Sequence, residues 1–100
     1  MKTNFKILIV DDEVLIAEFL KDKLMAMDYT NIALAHSRKQ AFELINSFNP
    51  NLILLDIRMK NEREGIEIAE ELNKNYNIPF IFITAHSDKD IIQHELSTKP

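Results

Sequence analysis

Three short apolar runs, each followed at once by an oxygen-bearing side chain, constrain the fold of this chain more than any other feature. Residues 5–10, which are apolar apart from Lys6, precede Asp11, residues 52–55 precede Asp56, and residues 80–83 precede Thr84. Continuous runs of this length are typical of strands buried on both faces of a parallel sheet. They fall far short of the ~20 apolar residues that span a bilayer, so the sequence excludes a membrane protein.

The segments between these runs carry apolar residues at helical spacing and predict three helices. The marker residues are Ala17, Leu20, Leu24 and Met27 in the first helix (13–27), Ala41, Phe42, Ile45 and Phe48 in the second, and Ile68, Ala69, Leu72 and Tyr76 in the third. A further short strand is predicted over 31–35, and Ser37 is predicted to cap the second helix. Strands that alternate with helices in this way predict an α/β fold with a doubly wound parallel sheet and right-handed crossovers.

Composition narrows the class of protein. A chain of 100 residues, 46% hydrophobic and 28% charged, has the make-up of one globular domain spanning 1–100. The absence of cysteine excludes disulfides, thiolate zinc sites and thiol catalysis. A net charge of −4 argues against a nucleic-acid-binding face, and the single glycine, Gly65, excludes a glycine-rich phosphate loop. Residues 1–4 lead into a strand rather than a signal-peptide core, so we expect a cytoplasmic protein.

The polar residues at the strand ends predict a shared site. In an open parallel α/β sheet, functional groups gather at the carboxyl ends of the strands, near the point where the strand order reverses. Asp11, Asp12, Asp56, Thr84 and the terminal Lys99 all fall at that end of the predicted sheet. Carboxylates within ~4–5 Å of one another repel by several kcal/mol per pair, so the cluster needs a cation, an ammonium group or a raised pKa. An all-oxygen site favours Mg²⁺ or Mn²⁺ over zinc.

Each of these residues also has a plainer interpretation. Asp11, Asp12 and Glu13 are suitable caps for the first helix, and Asp56 is a suitable turn residue. Thr84 and Lys99 taken alone are suited to structural roles. The recurrence of all five positions at one end of the sheet favours the joint site. The three histidines (His36, His86 and His94) lack the mutual spacing of a metal pair and are predicted to lie at the surface.

Taken together, these motifs resemble the receiver domain of two-component response regulators, over nearly the whole chain. The residues that carry the likeness are the acidic pair within 8–13, the aspartate within 54–59, residues 65–67, Ile78-Pro79, Thr84-Ala85 and Lys99-Pro100. The resemblance implies a flavodoxin-like fold with strand order 2-1-3-4-5. It also implies a domain that accepts a phosphoryl group from a sensor histidine kinase or phosphotransfer protein, without being a dedicated enzyme.

The resemblance implies a role for each matching residue. Asp56 would be the phosphoacceptor, and Mg²⁺ would be held by Asp11, Asp12, Asp56 and the main-chain carbonyl of Arg58. Thr84 would donate its hydroxyl to a phosphoryl oxygen and switch the conformation of the domain. Lys99 would pair with the phosphate or with Asp56.

The chain departs from the family pattern near its C-terminus. Lys99 lies only 15 positions after Thr84, a spacing about two helical turns shorter than is usual for the family. The shortening falls on helix 4 and the start of strand 5, and no segment remains for a final helix. We therefore expect an incomplete C-terminal part with exposed apolar surface, which favours a homodimer, an exchanged segment or a shortened chain.

Two other functions compete with a phosphoacceptor. A magnesium-dependent phosphatase of the haloacid-dehalogenase type also uses an aspartate at the end of a strand. Such enzymes usually carry a second aspartate two residues later, where this chain has Arg58. The second alternative is a degenerate receiver-like interaction module that does not switch on phosphorylation. The intact acidic residues argue against this module, and the shortened C-terminal part argues for it.

Overall fold

The computed structural model describes residues 2–57, 59 and 62–83, which form four strands and three helices in strict alternation. In chain order these are β1 (Lys6–Val10), α1 (Val14–Ala26), β2 (Asn31–Ala35), α2 (Arg38–Phe48), β3 (Leu52–Asp56), α3 (Glu62–Asn75) and β4 (Phe80–Ile83). Within the described ranges, no helix is long and apolar enough to cross a membrane.

The four strands form one parallel sheet in the order β2-β1-β3-β4. The α/β doubly wound architecture predicted from the sequence is therefore confirmed, and the strand order agrees with the predicted 2-1-3-4-5 as far as β4. The predicted fifth strand and the short helix before it fall outside the described residues. The chain runs from β1 outward to β2 and then returns past β1 to β3, so the strand order reverses between β1 and β3.

Helices cover both faces of the sheet because alternate strand residues point to opposite sides. On one face, Leu8 and Val10 of β1 and Ile53 and Leu55 of β3 are buried under α2 and α3. On the other face, Ile7 and Ile9 pack against α1. The central strands are thus buried on both faces, as continuous apolar runs predict.

Two helix ends differ from the expected ones. The first helix ends at Ala26 rather than at Met27, whose side chain is exposed instead of packing in the core. The third helix ends at Asn75, so Tyr76 lies just outside it. The Tyr76 N–H still bonds to the Leu72 carbonyl at 3.1 Å, and its ring packs against the core beside Phe42.

β4 is less buried than its sequence suggests. Its apolar run predicts a buried strand, but Ile81 is 54% exposed and Phe82 is 42% exposed. The expectation of a buried fourth strand is therefore wrong. The exposed apolar surface itself agrees with the other expectation, which was drawn from the shortened C-terminal part. The two side chains point to opposite faces of the sheet, so both faces of β4 are accessible to solvent.

Ser37 caps α2, as its position in the sequence predicts. Its Oγ accepts a hydrogen bond from the Gln40 N–H at 3.2 Å, and the Gln40 side chain reaches back to accept one from the His36 N–H at 2.8 Å. This pair of bonds satisfies two main-chain donors at the start of the helix. It differs from a capping box in that the return bond comes from the residue before the cap and not from the cap itself.

Replacing Ser37 by alanine is expected to lower the free energy of unfolding by about 1 kcal/mol, because one N–H of the first turn loses its partner. Urea unfolding measures the change. Ser47→Ala is the matched control, because the Ser47 hydroxyl only donates to the Glu43 carbonyl within the same helix. A Ser37→Ala variant as stable as the wild-type protein would contradict the assignment of the cap.

Candidate metal centre

Three aspartates lie together at the carboxyl edge of the sheet. Asp11 follows β1 directly, Asp12 is next to it, and Asp56 is the last residue of β3. Because β1 and β3 are neighbours with Val10 paired to Leu55, their carboxyl ends meet at the point where the strand order reverses. One carboxylate oxygen from each aspartate lies within 4.8 Å of the other two. The structure therefore brings together the three carboxylates that the strand-end argument places at one site.

The cluster is well shielded from solvent. Asp11 and Asp56 are buried, and Asp12 is half-buried. Asp11 Oδ1 accepts a hydrogen bond from the Glu13 N–H at 2.9 Å, while the buried Asp11 Oδ2 has no hydrogen-bond partner among the described residues. A buried carboxylate oxygen without a partner costs free energy unless a cation or a proton neutralises it.

The plainer interpretation of the first two aspartates as helix caps is not supported. The residue at the N-cap position of α1 is Glu13, and its side chain makes no capping hydrogen bond. No acidic residue lies in the first turn of the helix. The expectation of a side-chain cap and first-turn acids for α1 is therefore wrong. Asp11 accepts the Glu13 N–H just before the helix, and both Asp11 and Asp12 belong to the cluster.

The surroundings of Asp11 favour its neutral form in the absence of a cation. Burial is the largest cause, and the negative charges of Asp56 and Asp12 act in the same direction. Together they raise the pKa of Asp11 from 3.8 to about 7, against the opposing effect of the Glu13 N–H. Near neutral pH, a proton and a metal ion therefore compete for the same carboxylate.

The donor set fits a hard divalent cation. In the described part of the chain, the ligands offered by the cluster are carboxylate oxygens alone, and such ligands favour Mg²⁺ or Mn²⁺ over softer metals. The unsatisfied Asp11 Oδ2 gives an independent reason to expect a cation, because a bound ion would neutralise that oxygen. Asp11, Asp12 and Asp56 are the residues that would hold it.

Gly65 of α3 lies against the main chain that carries Asp56. A Cβ at this position would come within 2.5 Å of the Ile57 carbonyl oxygen and 2.7 Å of the Asp56 carbonyl oxygen. Only glycine allows α3 to approach the end of β3 so closely. The helix therefore packs directly against the main chain of Asp56 and Ile57.

Sequence reasoning missed the part played by His36. We expected this residue at the surface, but it is half-buried, and its Nδ1 lies 2.9 Å from the main-chain carbonyl oxygen of Asp11. The only signal in the sequence is its place directly after β2, next to the cap residue Ser37. That position carries no indication of a contact with the end of β1.

Three predicted site residues, Arg58, Thr84 and Lys99, fall outside the described residues, as do His86 and His94. The neighbouring strand is described up to Ile83, which pairs with Asp56. The Ile57 N–H also bonds to the Ile83 carbonyl at 3.3 Å. The end of β4 therefore lies beside the end of β3, at the edge that carries the aspartates.

Comparisons with known proteins agree with this architecture. The family model of the response regulator receiver domain matches residues 7–99. Over 85 residues, 84% of this chain, the sequence is 34% identical to the phyllosphere-induced regulator PhyR of Methylorubrum extorquens, and the chain spans about a third (32%) of that relative's length.

Solved structures show the same likeness. The anti-anti-sigma factor PhyR from Bartonella quintana matches with a TM-score of 0.72 and 31% identity, covering 84% of this chain and 34% of that one. The MaeR response regulator bound to beryllium trifluoride matches with a TM-score of 0.73 and 26% identity, covering 96% of this chain and 80% of that one. The family match covers nearly the whole sequence, and the described fold and the acidic edge agree with it. The chain therefore belongs to the response regulator receiver domain family.

Proposed function

We propose that this receiver domain accepts a phosphoryl group on Asp56, with a divalent cation held by Asp11, Asp12 and Asp56. The observation that carries the proposal is the buried cluster at the reversal of strand order, in which Asp11 Oδ2 has no hydrogen-bond partner among the described residues. Carboxylates held this closely at the end of parallel strands are costly unless they serve a bound cation.

The reaction is a displacement at phosphorus. A carboxylate oxygen of Asp56 attacks the phosphorus atom of the donor, and the bond from phosphorus to the leaving atom breaks with its electron pair. With a phosphohistidine donor the leaving atom is an imidazole nitrogen, and an acyl phosphate remains on Asp56. Mg²⁺, when bound, supplies positive charge beside the carboxylate and phosphoryl oxygens, where phosphoryl transfer most needs it.

The chain's own residues prepare the nucleophile for this reaction. β3 places Asp56 at the carboxyl edge of the sheet, and the main-chain bond from Ile57 to Ile83 holds the next residue against the end of β4. The Glu13 N–H orients Asp11 through Oδ1, and the buried Oδ2 has no hydrogen-bond partner among the described residues. Family resemblance supports further roles for Arg58 as a carbonyl ligand, Thr84 as the switching hydroxyl and Lys99 as the partner of the phosphate.

The chain is proposed to act as an acceptor in a signalling pathway rather than as a dedicated enzyme, with a sensor histidine kinase or phosphotransfer protein as its donor. The match to MaeR bound to beryllium trifluoride supports this assignment, because beryllium trifluoride has the shape and charge of a phosphoryl group. The chain spans about a third of the PhyR length. We therefore propose for this chain only the receiver step, and not the response that the signal finally produces.

A second candidate function is binding to a protein partner without a phosphorylation switch. The specific observation in its favour is the 31% identity to a protein named an anti-anti-sigma factor, a function defined by binding to another protein. This candidate predicts a folded domain that takes up no phosphoryl group.

Intact-mass spectrometry after incubation with acetyl phosphate and MgCl₂ tests the proposal. We expect a phosphate-sized mass gain in the wild-type protein that is lost in Asp56→Asn and in the presence of a chelator. Asp22→Asn is the matched control, because Asp22 is exposed on α1 and undergoes the same chemical change. No mass gain in a folded wild-type sample, or an equal gain in Asp56→Asn, would overturn the proposal; the first result would favour the second candidate.

A further inference from the structure

The main chain of Asp11 is held through both its N–H and its carbonyl oxygen at the point where β1 and β2 separate. The last paired residues of these strands are Val10 and Ala35. One more main-chain bond follows, from the Asp11 N–H to the Ala35 carbonyl at 3.0 Å. After this bond the chain leaves β2 and leads into α2. The Asp11 carbonyl oxygen lies 2.9 Å from Nδ1 of the His36 ring.

The direction of this hydrogen bond follows from its chemistry. A carbonyl oxygen only accepts, so the Nδ1 atom of His36 carries the proton and donates. The main chain of His36 is itself anchored, because its N–H donates to Gln40 Oε1 at 2.8 Å. The ring is therefore a short, fixed link between the first turn of α2 and Asp11.

This link matters because the Asp11 carboxylate has few other restraints. Oδ1 is held by the Glu13 N–H, and the buried Oδ2 has no hydrogen-bond partner among the described residues. When Asp11 is ionised, as cation binding requires, repulsion from Asp12 and Asp56 acts to turn its side chain out of the cluster. Since the carboxylate is two bonds from the main chain, a main chain fixed through both its N–H and its carbonyl oxygen limits that movement.

We propose that His36 is a positioning residue for the cation site: its Nδ1–H holds the Asp11 main chain so that the three carboxylates remain together before the cation arrives. The inference rests on the proposed function, because it assumes that the cluster binds Mg²⁺ or Mn²⁺. Residues that orient metal ligands through a hydrogen bond commonly change metal affinity by an order of magnitude when they are replaced.

The geometry of amide side chains allows a sharp test. Asparagine places its side-chain N–H close to the position of the histidine Nδ1–H, whereas glutamine places it close to that of Nε2. His36→Asn is therefore expected to retain the bond to Asp11, and His36→Gln and His36→Leu are expected to lose it. Ser37→Ala is the matched control, because it weakens the start of α2 without removing the donor to Asp11.

The measurement is the dissociation constant of Mn²⁺, from the loss of the free-ion signal in electron paramagnetic resonance, together with the urea midpoint of the metal-free protein. We expect affinity to fall about 3- to 10-fold in His36→Leu and His36→Gln. We expect it to stay within about twofold of wild type in His36→Asn and Ser37→Ala. A purely structural role of His36 would lower the urea midpoint and leave the dissociation constant unchanged.

Two kinds of result would overturn the inference. Equal Mn²⁺ affinity in the wild-type, His36→Leu and His36→Gln proteins would show that the link does not position Asp11. An equal loss of affinity in His36→Asn and His36→Gln would show that the Nδ1 donor is not the cause. If His36→Leu does not fold, the comparison of the asparagine and glutamine variants decides. A wild-type protein that binds no Mn²⁺ would instead refute the cation site itself, and the inference with it.

Discussion

Replacing Asp11 by asparagine is expected to raise the free energy of unfolding of the metal-free protein at about pH 8.5 by a few kcal/mol. Burial, together with the charges of Asp56 and Asp12, raises the pKa of Asp11 to about 7. At the higher pH the native protein therefore keeps a buried carboxylate close to two others. An asparagine carries no charge and offers an N–H to the neighbouring carboxylates, so it removes the repulsion.

The pH dependence of the metal-free wild-type protein follows from the same pKa values. Between pH 3.8 and about pH 7, the native state holds a proton on Asp11 that the unfolded chain has released, because the pKa of Asp11 is higher in the native state. The stabilising contribution of this proton is complete below about pH 4 and is lost as the pH rises through 7. The urea midpoint of the wild-type protein should thus be lower at about pH 8.5 than at about pH 5. Asp11→Asn should lack this decrease.

Magnesium is expected to oppose this loss of stability at higher pH. A cation binds best to the ionised carboxylate, so its stabilisation of the wild-type protein should grow with pH and be absent in Asp11→Asn. Urea unfolding at the two pH values, with MgCl₂ or with a chelator, measures both effects. Asp22→Asn, which changes an exposed aspartate on α1, should keep the wild-type pattern. Parallel pH profiles for the wild-type and Asp11→Asn proteins would contradict the assignment.

Gly65→Ala is expected to lower the free energy of unfolding by about 1–3 kcal/mol. The added methyl group would lie 2.5 Å from the Ile57 carbonyl oxygen and 2.7 Å from that of Asp56, so α3 or the end of β3 must shift. The clash is entirely with main-chain atoms, which do not move aside as a flexible side chain does. In an unhindered helix the same substitution stabilises by about 1 kcal/mol, so the sign of the change is itself diagnostic.

The matched control for Gly65→Ala is Asn73→Ala, at an exposed position of the same helix. Alanine there should leave the urea midpoint unchanged or raise it slightly. Because the clash includes the carbonyl of Asp56, Gly65→Ala should also weaken Mn²⁺ binding, whereas Asn73→Ala should not. A Gly65→Ala variant as stable as the wild-type protein would show that the close approach of α3 is not required.

The sheet and its acidic edge could be predicted from the sequence because both depend on local patterns. Short apolar runs and helical spacing determine the order of the elements, and the parallel arrangement then places the strand ends together. Asp11 and Asp56 follow their runs directly, so their meeting requires only the correct strand order. For the same reason, this part of the site was the easiest to predict.

The details that were missed depend on contacts between distant segments. The bond from His36 to Asp11 joins residues 25 positions apart and depends on how the chain leaves β2. The exposure of Ile81 depends on what covers β4, which its apolar sequence does not reveal. The assignment of Asp11 and Asp12 to a helix cap was mistaken because acids suited to capping are also suited to a metal site. Local propensity does not distinguish these two uses of a carboxylate.

The central position of β1 has a consequence for the biogenesis of the domain. β1 is the first described strand, yet it lies between β2 and β3, and Ile7 pairs with Leu52, 45 residues later in the chain. At a synthesis rate of about 5–20 residues per second, one edge of this very apolar strand stays unpaired for several seconds after it has been made. An early pairing of β1 with β2 under α1 leaves that edge as the main route to aggregation of the nascent chain. Interactions that cover β1 during this interval should therefore have a larger effect on the yield of folded protein than the stability of the finished sheet has.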